Sequence, residues 1–383
     1  MLPMTDFSMT VFSSVSLLRQ TLQQRLWRST GRSPMLLAWL LMLCSIPFQP
    51  LQAKENSALE TAASQLEQSG FRGMVLAARG DHVYLQKSLG TAGNLKRPFR
   101  FASVTKQMTA ILVMQEVEAG RLQLDAPLAN YWPDYPNPAA RKATLRQLLM
   151  HYSGLFNENA APTFHMLNAN NGDNMQAFAS GICAGPMNSA PGSRFDYNNC
   201  DYLVLGALLE KITRQPFVQL LEQRIFKPAG MNSAGLYQAA MPDNPAHLHG
   251  TLGGQPEPEV NLASYGAAGS TYGMLGDLLA FDRALIRGKL LSTASRAEMT
   301  RPNATGGALG VWVYPFKGAS ETNPTVIVER QGWIAGVRIL NLVDLQTENI
   351  LILVSTNGDL DLTQTWANQG PAAPLLKALI ETR

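Results

Sequence analysis

A chain of 383 residues, 46% hydrophobic and 15% charged, has globular composition, which excludes disordered and fibrous classes. Residues 1–53 hold four of its 31 basic and one of its 28 acidic residues, so 27 of each sign remain beyond them. A remainder with no net charge and no basic-aromatic cluster excludes a nucleic-acid partner.

The first segment reads as a leader. Arg19, Arg25, Arg28 and Arg32 precede an apolar run from Met35 to Phe48, and Pro50-Leu51-Gln52-Ala53 ends on a small residue. Basic flank, apolar core of about 14 residues and terminal Ala describe a signal peptide over residues 1–53. A retained anchor is the alternative, but a span needs about 20 apolar residues. The expected address is periplasmic or secreted, with one domain over 54–383 and membrane contact only through an uncleaved leader. Cys44 leaves with the leader. Cys183 and Cys200 are then candidates for one disulfide, with two buried free thiols as the alternative.

Residues 73–89 predict two short strands joined at Gly80-Asp81. After Ser103 the apolar spacing turns helical through Val117, and Gly120 ends it. Leu145–Met150 predicts a short helix; Asp201–Ile212, Phe217–Phe226 and Leu275–Ile286 predict longer ones. Residues 153–195, rich in Asn, Gly, Pro and Ala, are expected to be mostly loop. Ala308–Val313, Thr325–Glu329, Val337–Val343 and Asn349–Ser355 carry strand signals, punctuated by Gly332, Gly336 and Asn357-Gly358. A helix from Pro374 to Thr382 closes the chain. Strands at both ends of a helical middle imply an α/β (α+β) fold: one antiparallel sheet built from both termini, flanked by helices, with a mostly helical region inserted at about 121–300.

Three short stretches can carry chemistry. Ser103-Val104-Thr105-Lys106 is the one Ser-x-x-Lys of the chain. At a helix start it puts hydroxyl and amine on one face, where the helix N-terminus favours a serine anion and disfavours an ammonium. Lys106 can then take the serine proton. The bland alternative is a capping Ser and a solvated Lys. Tyr197-Asn198-Asn199 supplies a phenol that a nearby cation makes more acidic, able to relay protons, and an amide able to donate to substrate; the alternative is a packed Tyr and a helix-capping Asn. Arg330-Gln331-Gly332-Trp333 ends a strand signal. There Gly332 lets a substrate backbone lie alongside, the Trp333 N–H can pair with the Ser103 N–H as an oxyanion hole, and Arg330 can grip a carboxylate bidentately. Against that stands an Arg paired to Glu329 or Asp344 that merely holds the strand.

In this order and spacing the three stretches resemble the family of class C β-lactamases, low-molecular-mass penicillin-binding proteins and related esterases. Further stretches are similar as well: Phe101–Ala110 to the family's nucleophile helix, Thr144–Leu155 to its Ser-Gly-Leu segment, Phe226–Met231 to its Pro-Leu-Gly-Met turn and Gly269-Ser270-Thr271 to a Gly-Ser-Thr stretch. The resemblance runs from about residue 60 to the C-terminus. It implies a β-lactamase/transpeptidase-like fold, with Ser103 as nucleophile, Lys106 as its activating partner, Tyr197 as base or proton relay, and Asn199 as a substrate contact. Where members commonly carry Lys-Thr-Gly or His-x-Gly, this chain has Arg330-Gln331-Gly332. Gln331 replaces a hydroxyl that helps bind substrate, which weighs against β-lactam hydrolysis.

His247 and His249 lack a nearby third ligand, so no metal is expected there, and attack by Ser103 followed by water calls for no organic cofactor. His151 is expected to be a structural hydrogen-bonding residue. The function implied is an exported serine hydrolase acting through an acyl-enzyme on amides or esters. Peptidoglycan-derived D-amino-acid peptides come first as substrates, small esters second and β-lactams third. A class C-like β-lactamase is the alternative enzyme, and a non-catalytic binding or assembly module the alternative of another class. Nothing in the sequence sets the oligomeric state.

Overall fold

A computed structural model describes residues 51–90, 95–157, 164–165, 174–238, 247–318 and 320–382. All but the last three residues of the expected leader lie outside that range, and a compact unit runs from Lys54 to Arg383. Among the described residues no helix is long and apolar enough to cross a membrane.

The chain ends build one six-stranded antiparallel sheet. Strands β1 (Gly73–Arg79), β2 (His82–Leu89), β8 (Trp312–Phe316), β9 (Thr325–Ile334), β10 (Val337–Val343) and β11 (Asn349–Ser355) lie in the order β2-β1-β11-β10-β9-β8. Both faces of the sheet are covered, which is why its central strands read as continuous apolar runs. Their side chains divide with period two. Met74, Leu76, Ile339, Ile350, Ile352 and Val354 enter the larger core. Val75, Ala77, Leu340, Leu342, Leu351 and Leu353 enter a smaller one on the other face. Helix α1 (Leu51–Gln68) closes the smaller core with Leu59, Ala62, Ala63 and Leu66, one helical face. Helix α9 (Ala373–Glu381) adds Leu375, Leu376 and Leu379.

The larger core is helical. Buried helix α2 (Val104–Glu118) packs there with α3 (Leu145–Leu149), α4 (Met175–Ser180), α5 (Cys200–Thr213), α6 (Phe217–Leu221), α7 (Leu275–Ile286) and α8 (Thr293–Met299). A small sheet, β3 (Phe99–Arg100), β7 (Thr271–Gly273) and β4 (Gly235–Leu236), links this region to the nucleophile segment. A short hairpin, β5 (Thr251–Leu252) and β6 (Gln255–Pro256), lies apart from it. Cys183 and Cys200 are disulfide-bonded.

Two strand expectations shift. The predicted strand at Ala308–Val313 begins only at Trp312, because Gly310 (φ +79°) turns the chain and the Ala308 N–H bonds the Val311 carbonyl within a loop. Gly332 does not end its strand; β9 runs through it to Ile334. Within 153–195, Asn174 caps α4 by accepting from the N–H groups of Gln176 and Ala177, so this Asn-rich stretch starts a helix. Residues 158–163 and 166–173 of that expected loop lie outside the described residues. Helix α1 is an addition to the predicted elements.

Candidate active site

Two helices begin at the site, and both withhold their caps from it. Ser103 is the N-cap of α2 and Asn199 the N-cap of α5, yet neither side chain makes a capping hydrogen bond. Each forgoes a contact ordinarily worth about 1 kcal/mol. Both point instead at Lys106, which is fully buried. Its Nζ donates to Ser103 Oγ (3.1 Å), Asn199 Oδ1 (2.6 Å) and the Ala268 carbonyl (2.9 Å). A set of acceptors around the amine suits an ammonium, which only donates. The capping-Ser, solvated-Lys and capping-Asn alternatives are thereby set aside. Ala102, just before Ser103, takes φ +49°, a conformation uncommon for a residue with a β-carbon.

The second partner of Ser103 is Tyr197, whose hydroxyl donates to Ser103 Oγ at 2.8 Å. Burial pushes the phenol up, but the charges of Arg330 and Lys106 and the hydrogen bonds of Ser103 and Lys106 outweigh it, lowering the pKa to about 8. Lys106 Nζ lies 5.0 Å and Arg330 Cζ 5.6 Å from the ring centre. Behind the ring stands His151, 4.3 Å away centre to centre. Its Nδ1 lies 2.9 Å from Asp201 Oδ2, and Ser153 Oγ donates to the other carboxylate oxygen. Burial first, then the Lys106 and Arg330 charges, hold His151 well below the usual imidazole range, so the ring is neutral. That agrees with the structural role expected of it. Asp201 and Ser153 are not among the predicted site residues, though Ser153 lies in a stretch that carries the resemblance and Asp201 follows Tyr197 by one helical turn.

Arg330 requires a correction. Its Nε donates to the Ser103 carbonyl (2.8 Å), Nη1 to the Gly310 carbonyl (3.2 Å) and Nη2 to the Tyr197 hydroxyl (2.7 Å). Only 3% exposed, with all three nitrogens engaged, it does not present the two-pronged face that a substrate carboxylate needs. Nor does it pair with Glu329 or Asp344. Glu329 accepts from Tyr314 and Thr365 in the smaller core, and Asp344 from the turn at Gln346 and Thr347. Successive strand residues face opposite sides, which separates Glu329 from its neighbour.

Gly332 brings the β9 backbone against the nucleophile. A β-carbon there would sit 2.6 Å from the Phe101 carbonyl oxygen and 3.2 Å from the Ser103 nitrogen. Ile334 and Val337 flank the two-residue turn Ala335-Gly336, and Trp333 faces Arg338. A pair closing such a turn exchanges both bonds, so in the next pair the Trp333 N–H points out of the β10 ladder. β8 pairs with β9 only as far as Glu329, which leaves that edge open beside Ser103. The Trp333 indole itself is half exposed, stacks on Arg338 and donates to the Ala335 carbonyl. Away from the site, His247 meets Tyr237, and His249 Nδ1 lies 3.0 Å from Glu257 Oε1.

The chain is similar to several known proteins. The family model described as Beta-lactamase matches residues 58–365. Putative penicillin-binding protein PbpX of Bacillus subtilis is 28% identical over 315 residues, 79% of this chain and 75% of that one. Esterase EstB of Burkholderia gladioli is 30% identical over 204 residues, 48% of this chain and 51% of its own. The structure of D-amino acid amidase from Ochrobactrum anthropi SV3 superposes with a TM-score of 0.71 at 21% identity, covering 86% of this chain and 99% of that one. That last likeness establishes a shared fold.

Proposed function

The chain belongs to the Beta-lactamase family of serine hydrolases, and on that premise we propose an exported acyl hydrolase with Ser103 as nucleophile, Tyr197 as base and Lys106 as the charge that holds them. One observation carries the reading: Lys106 Nζ and the Tyr197 hydroxyl converge on Ser103 Oγ at 3.1 and 2.8 Å.

The phenolate of Tyr197 takes the Ser103 proton as Oγ bonds to the carbonyl carbon of an amide or ester. The N–H groups of Ser103 and Trp333 receive the oxyanion. Collapse breaks the bond to the leaving group, which departs with the proton from Tyr197 and leaves an acyl-serine. Water then attacks the acyl carbon, Tyr197 again taking the proton, and the acid is released with Ser103 restored. In this reading Lys106, donating to Ser103, Asn199 and the Ala268 carbonyl, supplies a positive charge beside the nucleophile, a change from the sequence expectation that it takes the serine proton.

D-amino-acid peptides and small esters are the proposed substrates. The relatives named as penicillin-binding protein and esterase support that range, and the amidase fold supports the amide half. The proposal of export rests on the basic-apolar segment before Lys54. Intact-protein mass spectrometry after exposure to a p-nitrophenyl ester, a penicillin and a muropeptide tests the chemistry. An adduct on Ser103 that disappears in Ser103→Ala is expected. No adduct and no turnover with any of the three would leave the non-catalytic module.

A further inference from the structure

Phe195 is 41% exposed, among the few large apolar side chains the described surface displays. It does not stand alone. Its ring centre lies 5.5 Å from that of Trp312 and 5.8 Å from that of Tyr152, both edge-on, and 6.0 Å from that of His151. An aromatic cluster of this kind, open on one side, is a ready surface for a flat apolar group.

Its position relative to the reacting atoms is set by His151, whose ring touches both Phe195 and Tyr197. Phe195 and Tyr197 therefore share one side of their segment. Arg194 and Asp196 pair with each other at 3.8 Å, and Asp196 also accepts from Asn157 and Asn188. Trp312 reaches the cluster from the start of β8, two residues after Gly310, whose carbonyl holds Arg330. The cluster thus adjoins Tyr197, the source of the departing group's proton, through the His151 ring, while the open β9 edge at Gly332 and Trp333 serves the carbonyl. Nearby Arg330 is buried and donates to Ser103, Gly310 and Tyr197.

We infer that Phe195, Trp312 and Tyr152 form the leaving-group subsite, and that it selects an uncharged aryl or bulky apolar leaving group rather than one ending in a carboxylate. This rests on the acyl-enzyme reading above. It moves the substrate class away from carboxyl-terminal peptides towards neutral esters and amides.

Three butyrate esters of alcohols of similar acidity test it: benzyl, methyl and carboxymethyl. The parent enzyme is expected to prefer benzyl over methyl, with carboxymethyl the poorest. The benzyl-to-methyl ratio of kcat/KM should fall about twofold to tenfold in Phe195→Ala and in Trp312→Ala, and be kept in Phe195→Tyr. Labelling of Ser103 by a fluorophosphonate and thermal melts establish that each variant is folded and competent. An unchanged ratio in folded, labelled variants, or a parent preference for the carboxymethyl ester, overturns the subsite alone. Failure of the parent protein to acylate at Ser103 overturns the proposed function and the subsite with it.

Discussion

The guanidinium of Arg330 donates through Nη2 to the hydroxyl of Tyr197 at 2.7 Å, while its other two nitrogens are tied to the carbonyls of Ser103 and Gly310. A cation held at a phenol stabilises phenolate. Arg330 is thus a positioning residue for the base. Its two carbonyl bonds also tie the nucleophile segment to the loop before β8.

The pH profile tests this relationship. Tyr197 has a pKa of about 8 and acts as phenolate, so kcat/KM should rise with pH and level off above that value. In Arg330→Met the rising limb should move up by about one to three pH units, the usual effect of one nearby opposite charge. Arg330→Lys, which keeps the charge, should move it less. A limb that stays in place in folded Arg330→Met would remove the residue from the electrostatics of Tyr197.

Gly332 offers a steric test. The β-carbon of Gly332→Ala would overlap the Phe101 carbonyl oxygen at 2.6 Å, a backbone atom that cannot swing aside, and crowd Ala102 Cβ at 3.1 Å. Either β9 or the nucleophile segment must retreat, which misplaces Ser103 against the strand edge. Acylation should slow by about a hundredfold, the usual consequence of displacing reacting groups by about 1 Å. Rapid burst kinetics with a p-nitrophenyl ester measure it. Unchanged acylation would show that the strand edge does not hold the carbonyl.

Why some of the molecule can be read from the chain and some cannot comes down to sequence distance. β10, β11 and α7 fall where expected because their signals are local: apolar runs bounded by Gly or Asn-Gly, and an apolar face of helical period. Ser103, Lys106, Tyr197 and Asn199 are legible as short motifs, and the structure brings all four together. The partners of Arg330 are not. Ser103 lies 227 positions earlier, and the contact depends on which face of β9 meets α2, a matter of register across the whole sheet. Phe195 and Trp312 likewise meet only because the loop before α5 and the edge strand β8 come together in the fold. The start of β8 shifts because Ala308–Val311 carries strand-forming residues through a turn that Gly310 makes.

The disulfide gives a stability prediction. Cys200 directly follows Asn199, and its bond to Cys183 ties the start of α5 to the turn at Ile182–Ala184. Closing a loop of about this length stabilises a fold by roughly 3 kcal/mol in the chain-entropy model. Replacing both cysteines with Ala should lower Tm by about 4 °C for a chain of this size. Peptide mapping of the unreduced protein should recover a linked Cys183–Cys200 peptide; recovery of the two peptides separately, with unmodified thiols, would contradict the bond.

The last prediction concerns a buried acid behind the active-site strand. Asn341 sits on β10 opposite Arg330, and its Nδ2 donates to Asp282 Oδ1 at 2.8 Å. Asp282 is wholly buried in α7, and neither its Oδ2 nor the Asn341 Oδ1 has a partner among the described residues. Two acceptors without a donor mark the place of a proton: protonated Asp282 can donate from Oδ2 to Asn341 Oδ1 and complete an acid–amide pair. Burial pushes the carboxyl up to about 8, with the Asn341 hydrogen bond opposing it. Between about pH 4 and pH 8 the folded protein therefore keeps a proton that the unfolded chain has released. From that sign, the stability contributed by Asp282 is complete below pH 4 and falls by up to about 1.4 kcal/mol per pH unit until about pH 8. Asp282→Asn places an amide against an amide, keeps both hydrogen bonds and has nothing to titrate. The variant should lose this decline and melt higher than the parent at pH 8, while the two converge towards pH 4. Urea unfolding of both proteins across that range measures the difference. Parallel curves would mean that Asp282 is charged in the folded state, and that its second oxygen has found a donor which the Asn341 pairing does not supply.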